Sequence, residues 1–140
     1  MEQNAVHELT VAATTENLAA VTEFIDAQLE QADCPMKAQM QIDMAVEEIF
    51  VNIAHYAYAP DTGDATVRVE LSEEPRAVRI TFLDRGTPYD PLRKEDPDVT
   101  ASAEERKIGG LGIYLVKKTM DDVQYLYRDG QNILTIQKNF

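Results

Sequence analysis

The sequence predicts an α+β fold, a two-layer sandwich in which helices cover one face of a mixed, mainly antiparallel sheet. Three observations predict it. Between Leu18 and Ala57 apolar residues recur at helical spacing in two successive segments. Segments at 67–71 and 78–82 instead alternate apolar and polar residues with the period of a strand. The resulting order is β, α, α, β, β, long loop, α, β, β, which favours helices gathered on one side of a sheet.

Each element has a local cause. The stretch "HELTV" at 7–11 is a short strand, and Thr14 or Thr15 offers an N-cap for a helix carrying Leu18, Val21, Ile25, Leu29 and Ala32. "DCP" ends that helix, and Pro35 suits the start of the next. The second helix runs from about Met36 to Ala57, with Ile42, Ala45, Val46, Ile49, Phe50 and Ile53 as a broad stripe facing the sheet. A thinner stripe, Met40, Met44, Val51 and Tyr58, lies roughly opposite. Packing against a neighbouring helix is expected of it, with a partner or dimer surface as the alternative.

After the loop "APDTGD", Val67, Val69 and Leu71 form one strand face and Val78, Ile80 and Phe82 another, joined as a hairpin through "SEEP". Residues 87–107 are rich in proline and charge and lack periodicity, and so long a loop inside a compact domain is usually functional or disordered. Glycines at 109, 110 and 112 then precede an amphipathic helix, followed by strands at 123–128 and 133–138 around an Asp129-Gly130 turn.

Composition narrows the functional classes. With 140 residues the chain is expected to form a single domain, 1–140. No apolar stretch is long enough to span a bilayer, and the first residues lack the character of a signal peptide, so the expected location is cytoplasmic. One cysteine, Cys34, leaves no intramolecular disulfide or cysteine-built zinc cluster. A net charge of −12 argues against general affinity for nucleic acid or anionic lipid, both of them polyanions. Any anion this protein binds must be held locally.

Three places have the residues for chemistry. In "VRITFLD", Asp84 shares parity with Val78, Ile80 and Phe82, so its carboxylate lies at the end of the core row and needs a donor, such as the amino group of a flat heterocycle. A turn in which Asp84 binds its own backbone is the other reading. The glycine cluster would let a phosphate approach the N–H groups of a helix start, or would serve as a hinge. Glu48 and Asn52, four apart, lie one turn apart on one helix edge and could orient a hydroxyl and offer oxygen to Mg²⁺; a solvated face is the plain alternative. Glu47 falls on a different edge, and His55 reads as structural.

Taken in order, "EEIFVN", "DRG", a long loop and "GGLG" at a helix start resemble the N, G1 and G2 boxes of the GHKL ATP-binding superfamily, which includes gyrase subunits, heat-shock chaperones and histidine kinases. The resemblance covers about residues 40–137. A short chain of this kind is similar to the anti-sigma-factor serine kinases of the RsbW and SpoIIAB type. The resemblance implies ATP and Mg²⁺ as cofactors, with Glu48 as general base, Asn52 as the Mg²⁺ ligand and Asp84 bonding the adenine amino group. It also implies Gly86 beside the base, Gly110, Leu111 and Gly112 at the phosphates, Thr135 supporting the adenine site, and a lid at about 87–107.

The activity implied is transfer of the γ-phosphate to a serine of a STAS-type antagonist, with a sigma factor as a further partner and a homodimer as the assembly. A non-catalytic ATP-dependent binding switch is the alternative. The sequence departs from the family pattern in three respects. His55 stands three rather than four residues after Asn52, no second glycine follows Gly86, and the lid carries Pro88, Pro91 and Pro97.

Overall fold

The computed structural model describes residues 5–93 and 110–140. The chain runs β1 (Ala5–Ala12), a 3₁₀ turn (Thr15–Asn17), α1 (Leu18–Gln31), α2 (Met36–Tyr56), β2 (Asp64–Glu73) and β3 (Arg76–Asp84). After a second 3₁₀ turn (Pro91–Arg93) come α3 (Gly110–Thr119), β4 (Asp122–Arg128) and β5 (Gln131–Asn139). The strands form one sheet in the order β1-β2-β3-β5-β4. Every pairing is antiparallel, so the mixed component expected from the sequence is absent among the described residues. β2–β3 and β4–β5 are hairpins, the connection through α1 and α2 returns to the antiparallel neighbour β2, and the connection through α3 passes over one position, so that β5 lies between β3 and β4.

Strand parity decides which side chains meet the helices. Val67 and Val69 of β2, Val78, Ile80 and Phe82 of β3, and Leu134 and Ile136 of β5 are buried with Val21, Ile25 and Leu29 of α1 and Ile42, Val46, Ile49 and Phe50 of α2. Each large apolar side chain so buried contributes about 1.5–3 kcal/mol relative to exposure. The broad α2 stripe therefore faces the sheet as its spacing requires. The opposite sheet face is polar at its β1 edge, where Arg68 pairs with Glu8 and Thr10 bonds Thr66.

Local chemistry shapes the connections. Neither Thr14 nor Asn17, the residue before α1, makes a side-chain cap bond; the Asn17 amide instead donates to the Ala12 carbonyl at 2.8 Å and ties the turn to the end of β1. Asp33, at φ 55°, turns the chain out of α1, while the Cys34 N–H returns to the Leu29 carbonyl at 3.0 Å. Asp129 and Gly130 both take positive φ, 53° and 78°, as a tight two-residue hairpin turn demands. Tyr58 falls beyond α2, and its hydroxyl donates to the Asp64 carbonyl at 2.6 Å and accepts the Arg85 N–H at 2.8 Å. Met40 and Met44 remain 61% and 59% exposed, so that part of the thin stripe is not covered by any helix among the described residues.

One polar contact interrupts the α1–α2 seam. The Asp43 carboxyl lies within hydrogen-bonding reach of Asp26, and each presents a buried Oδ1 that no protein donor satisfies. Two facing carboxylates are held together only by a proton between them. Burial first, then the bond to Asp26 and its charge, push the Asp43 carboxyl up to about 7. An acid with a raised folded-state pKa favours the protonated fold, so its contribution is complete below pH 4 or so and is lost as pH climbs through about 7.

The urea midpoint should accordingly fall between about pH 5.5 and about pH 8. In Asp43→Asn, whose amide donates to Asp26 without a titrating proton, that fall should shrink. An unchanged slope in the variant would remove the pair as its cause.

Candidate functional site

The site grows from the end of the apolar row on β3. Because Asp84 has the parity of Ile80 and Phe82, its carboxylate enters the helix-facing layer and is 5% exposed. A charge so placed needs donors, and two reach Oδ1: the Gly86 N–H at 2.9 Å and the Asn132 side-chain amide at 2.9 Å. Both readings of Asp84 are thus present at once, a backbone turn and a buried acceptor. Its other oxygen makes neither bond, and the residue lines a cavity with Ile49, Asn52, Ile53, Phe82 and Ile113.

Gly86 follows because nothing larger fits. A Cβ there would stand 2.1 Å from the Ala57 carbonyl oxygen at the end of α2. The turn is pressed against that helix terminus, with the Thr87 N–H bonded to the same carbonyl at 2.7 Å.

Glu48 and Asn52 occupy one edge of α2, and the Asn52 amide donates to Glu48 Oε1 at 3.2 Å. That bond uses the amide nitrogen and leaves the carboxamide oxygen for another partner. An oxygen donor is what Mg²⁺ selects, so the residue fits the ion by its donor chemistry. Glu48 is half-buried and lines a groove between α2 and α3 with Met44, Glu47, Val51, Leu115 and Thr119. Asn52 lines the cavity at Asp84 instead. The Glu48–Asn52 bond thus joins two spaces that share no lining residue among the described residues.

Gly112, in the first turn of α3, faces this pair. A Cβ at Gly112 would lie 2.2 Å from Glu48 Cδ and 2.4 Å from each carboxylate oxygen. The glycine therefore makes room for the carboxylate. The α3 backbone begins at Gly110 and continues through Leu111, a helix start next to Glu48 as the glycine run suggests. Of the lid expected at about 87–107, residues 94–107 lie outside the described residues, as does Gly109.

One sequence expectation changes. Thr135 does not reach the site: it is out of phase with Leu134 and Ile136, and its hydroxyl lies 3.4 Å from that of Thr81 on the sheet face away from the helices. Asn132 holds the position near Asp84 instead. It is paired with Asp84 in the β3–β5 register and is 6% exposed. The sequence analysis does not single it out. The available signal was its phase, since Asn132, Leu134 and Ile136 form one row. His55 is exposed beside Tyr56 and lines neither space.

Comparison with known proteins follows this geometry. Serine-protein kinase RsbW of Bacillus cereus is 33% identical over 95 residues, 65% of this chain and 58% of that protein. Serine/threonine-protein kinase BtrW of Bordetella bronchiseptica is 28% identical over 100 residues, 71% of this chain and 70% of that protein. The chain thus spans about three-fifths of the length of the RsbW proteins it matches, 58% to 61%. Among solved structures, the RsbU and RsbW domains of Rv1364c from Mycobacterium tuberculosis superpose with a TM-score of 0.69 over 96% of this chain and 32% of that one. At 16% identity that likeness is one of fold. The model of the histidine kinase-like ATPase domain matches residues 11–138, from the end of β1 through nearly all of β5, and the chain belongs to that family.

Proposed function

We propose that this protein is a Mg²⁺-dependent, ATP-using serine kinase that acts as an anti-sigma-factor-like regulator. The observation that carries the reading is the Glu48–Asn52 bond between two separate spaces, with Gly112 leaving room for the carboxylate. One space ends in a buried acceptor suited to an adenine amino group. The other, the α2–α3 groove, gives a protein hydroxyl a route to Glu48. Relatives named as serine-protein kinases support the same reading.

In this account Asp84 and Gly86 hold the base, Asn52 offers its oxygen to Mg²⁺, and the α3 start from Gly110 through Leu111 to Gly112 meets the phosphates. Mg²⁺, when bound, neutralises phosphate charge. Glu48 aligns the substrate serine and takes its proton as the serine oxygen bonds to the γ-phosphorus and the bond to the departing ADP oxygen breaks. Phosphoryl transfer asks mainly for positioning and charge neutralisation, which these residues supply without a covalent intermediate. The substrate we propose is a STAS-type antagonist, with a sigma factor as second partner, a homodimer as the assembly and the cytoplasm as the location. Among the described residues no helix is long and apolar enough to cross a membrane.

Calorimetric titration should show ATP binding that requires Mg²⁺ and weakens at least about tenfold in Asp84→Asn, which loses the buried charge. Glu48→Ala should abolish transfer to a STAS-type protein while sparing ATP affinity; equal loss of both would end the base assignment.

Gly112→Ala separates stability from activity. Alanine gains up to about 1 kcal/mol of helix propensity over glycine, so the melting temperature should hold or rise. Its methyl group displaces the Glu48 carboxylate, and transfer at saturating ATP should fall about tenfold or more. Unchanged transfer would show that the carboxylate position is immaterial.

A further inference from the structure

Asn132 makes more contacts than a structural amide at the end of a strand requires. Its Nδ2 donates to Asp84 Oδ1 at 2.9 Å, to the Thr87 carbonyl at 3.0 Å and, more weakly, to the Gly86 carbonyl at 3.4 Å. Its Oδ1 accepts the Tyr89 N–H at 3.2 Å and the hydroxyl of Tyr125. The partners on the nitrogen side are acceptors and those on the oxygen side donate, so the amide has one orientation only. Tyr125 is suited to hold it there. Burial pushes its hydroxyl up, against the Tyr89 N–H and with the charges of Asp90 and Asp84, so it stays a donor at neutral pH.

The consequence falls on Asp84. Carboxylates rotate easily about χ2, and the Gly86 N–H alone would leave that torsion loosely fixed. A second donor on the same oxygen fixes the plane of the group and commits the other oxygen to whatever enters the cavity. The same amide gathers the backbone of Gly86, Thr87 and Tyr89, so the chain leaving β3 is wound around one side chain of β5.

We propose that Asn132, itself oriented by the Tyr125 hydroxyl, is the positioning residue that presents one oxygen of Asp84 to the exocyclic amino group of the bound purine. This rests on the reading of the cavity as an adenine site. Asn132 acts through Asp84, so its effect belongs to the amino group and not to the rest of the nucleotide.

The test compares ATP with purine riboside 5′-triphosphate, which lacks the 6-amino group, by calorimetry with Mg²⁺ on the wild type, Asn132→Ala and Tyr125→Phe. The wild type should prefer ATP. Asn132→Ala should lower that preference about tenfold by weakening ATP while leaving the analogue unchanged. Tyr125→Phe keeps the Tyr89 N–H on the amide oxygen and should lower the preference by a smaller factor, about threefold. Equal weakening of both nucleotides in Asn132→Ala would make the residue merely structural and overturn the proposal. Should Asn132→Ala not fold, a wild-type ratio in Tyr125→Phe would overturn it. A wild type that binds both nucleotides equally would instead refute the adenine reading of Asp84, and the proposal with it.

Discussion

A carboxylate buried at the end of an apolar row is the constraint on which the rest of the site depends. Asp84 is accommodated within the helix-facing layer because β5 delivers an amide and the following turn delivers an N–H to the same oxygen. Those two donors dictate the surroundings. The turn must fold back at once, which presses Gly86 against the Ala57 carbonyl. The amide must face β3, which requires the register that pairs Asp84 with Asn132. The end of α2, the exit of β3 and the start of β5 are thereby tied to one point.

The second organising element is α2. One face supplies Ile42, Val46, Ile49 and Phe50 to the core, and an adjoining edge supplies Glu48 and Asn52. A 3.6-residue period lets a single rigid helix hold both faces in fixed relation, so burial of the apolar stripe also sets the position of the polar pair. The hydrophobic effect has no direction of its own. Here it gains one from the helix, and the two polar side chains inherit the precision of the core packing.

The glycine cluster shows how a small residue is chosen by its neighbour. Gly112 is tolerated in the first turn of α3, despite its poor helix propensity, because the volume a Cβ would take belongs to the Glu48 carboxylate. Helix stability is given up so that a charged group from another helix can stand beside the helix start. The α1–α2 seam holds a different compromise: Asp43, about 13 Å along α2 from Asn52, is buried against Asp26, and burial with that neighbour pushes its carboxyl up to about 7. Arg76 is engaged with the Ala32 and Asp33 carbonyls at the end of α1.

Much of this was legible in the sequence, for reasons that are local. Periodicities of 3.6 and 2 located α1, α2 and the strands to within a few residues, placed Glu48 and Asn52 on one edge, and put Asp84 in phase with Phe82. The order of "EEIFVN", "DRG" and "GGLG" carried the family resemblance, since it needs only spacing along the chain. What sequence could not supply was which residue meets which across the fold. Alternation gives a strand two faces but not its neighbour or register, so Asn132 beside Asp84, 48 residues away, was missed, and Thr135, matched only by the family resemblance, lies beside Thr81 instead. Helical spacing likewise marked Met40 and Met44 as a stripe without showing that it stays uncovered. By itself the sequence determined the elements, their order and the polar side chains each carries. Tertiary structure decided the strand partners, the register and the contacts of Gly86 and Gly112, because these arise only when distant segments close on one another.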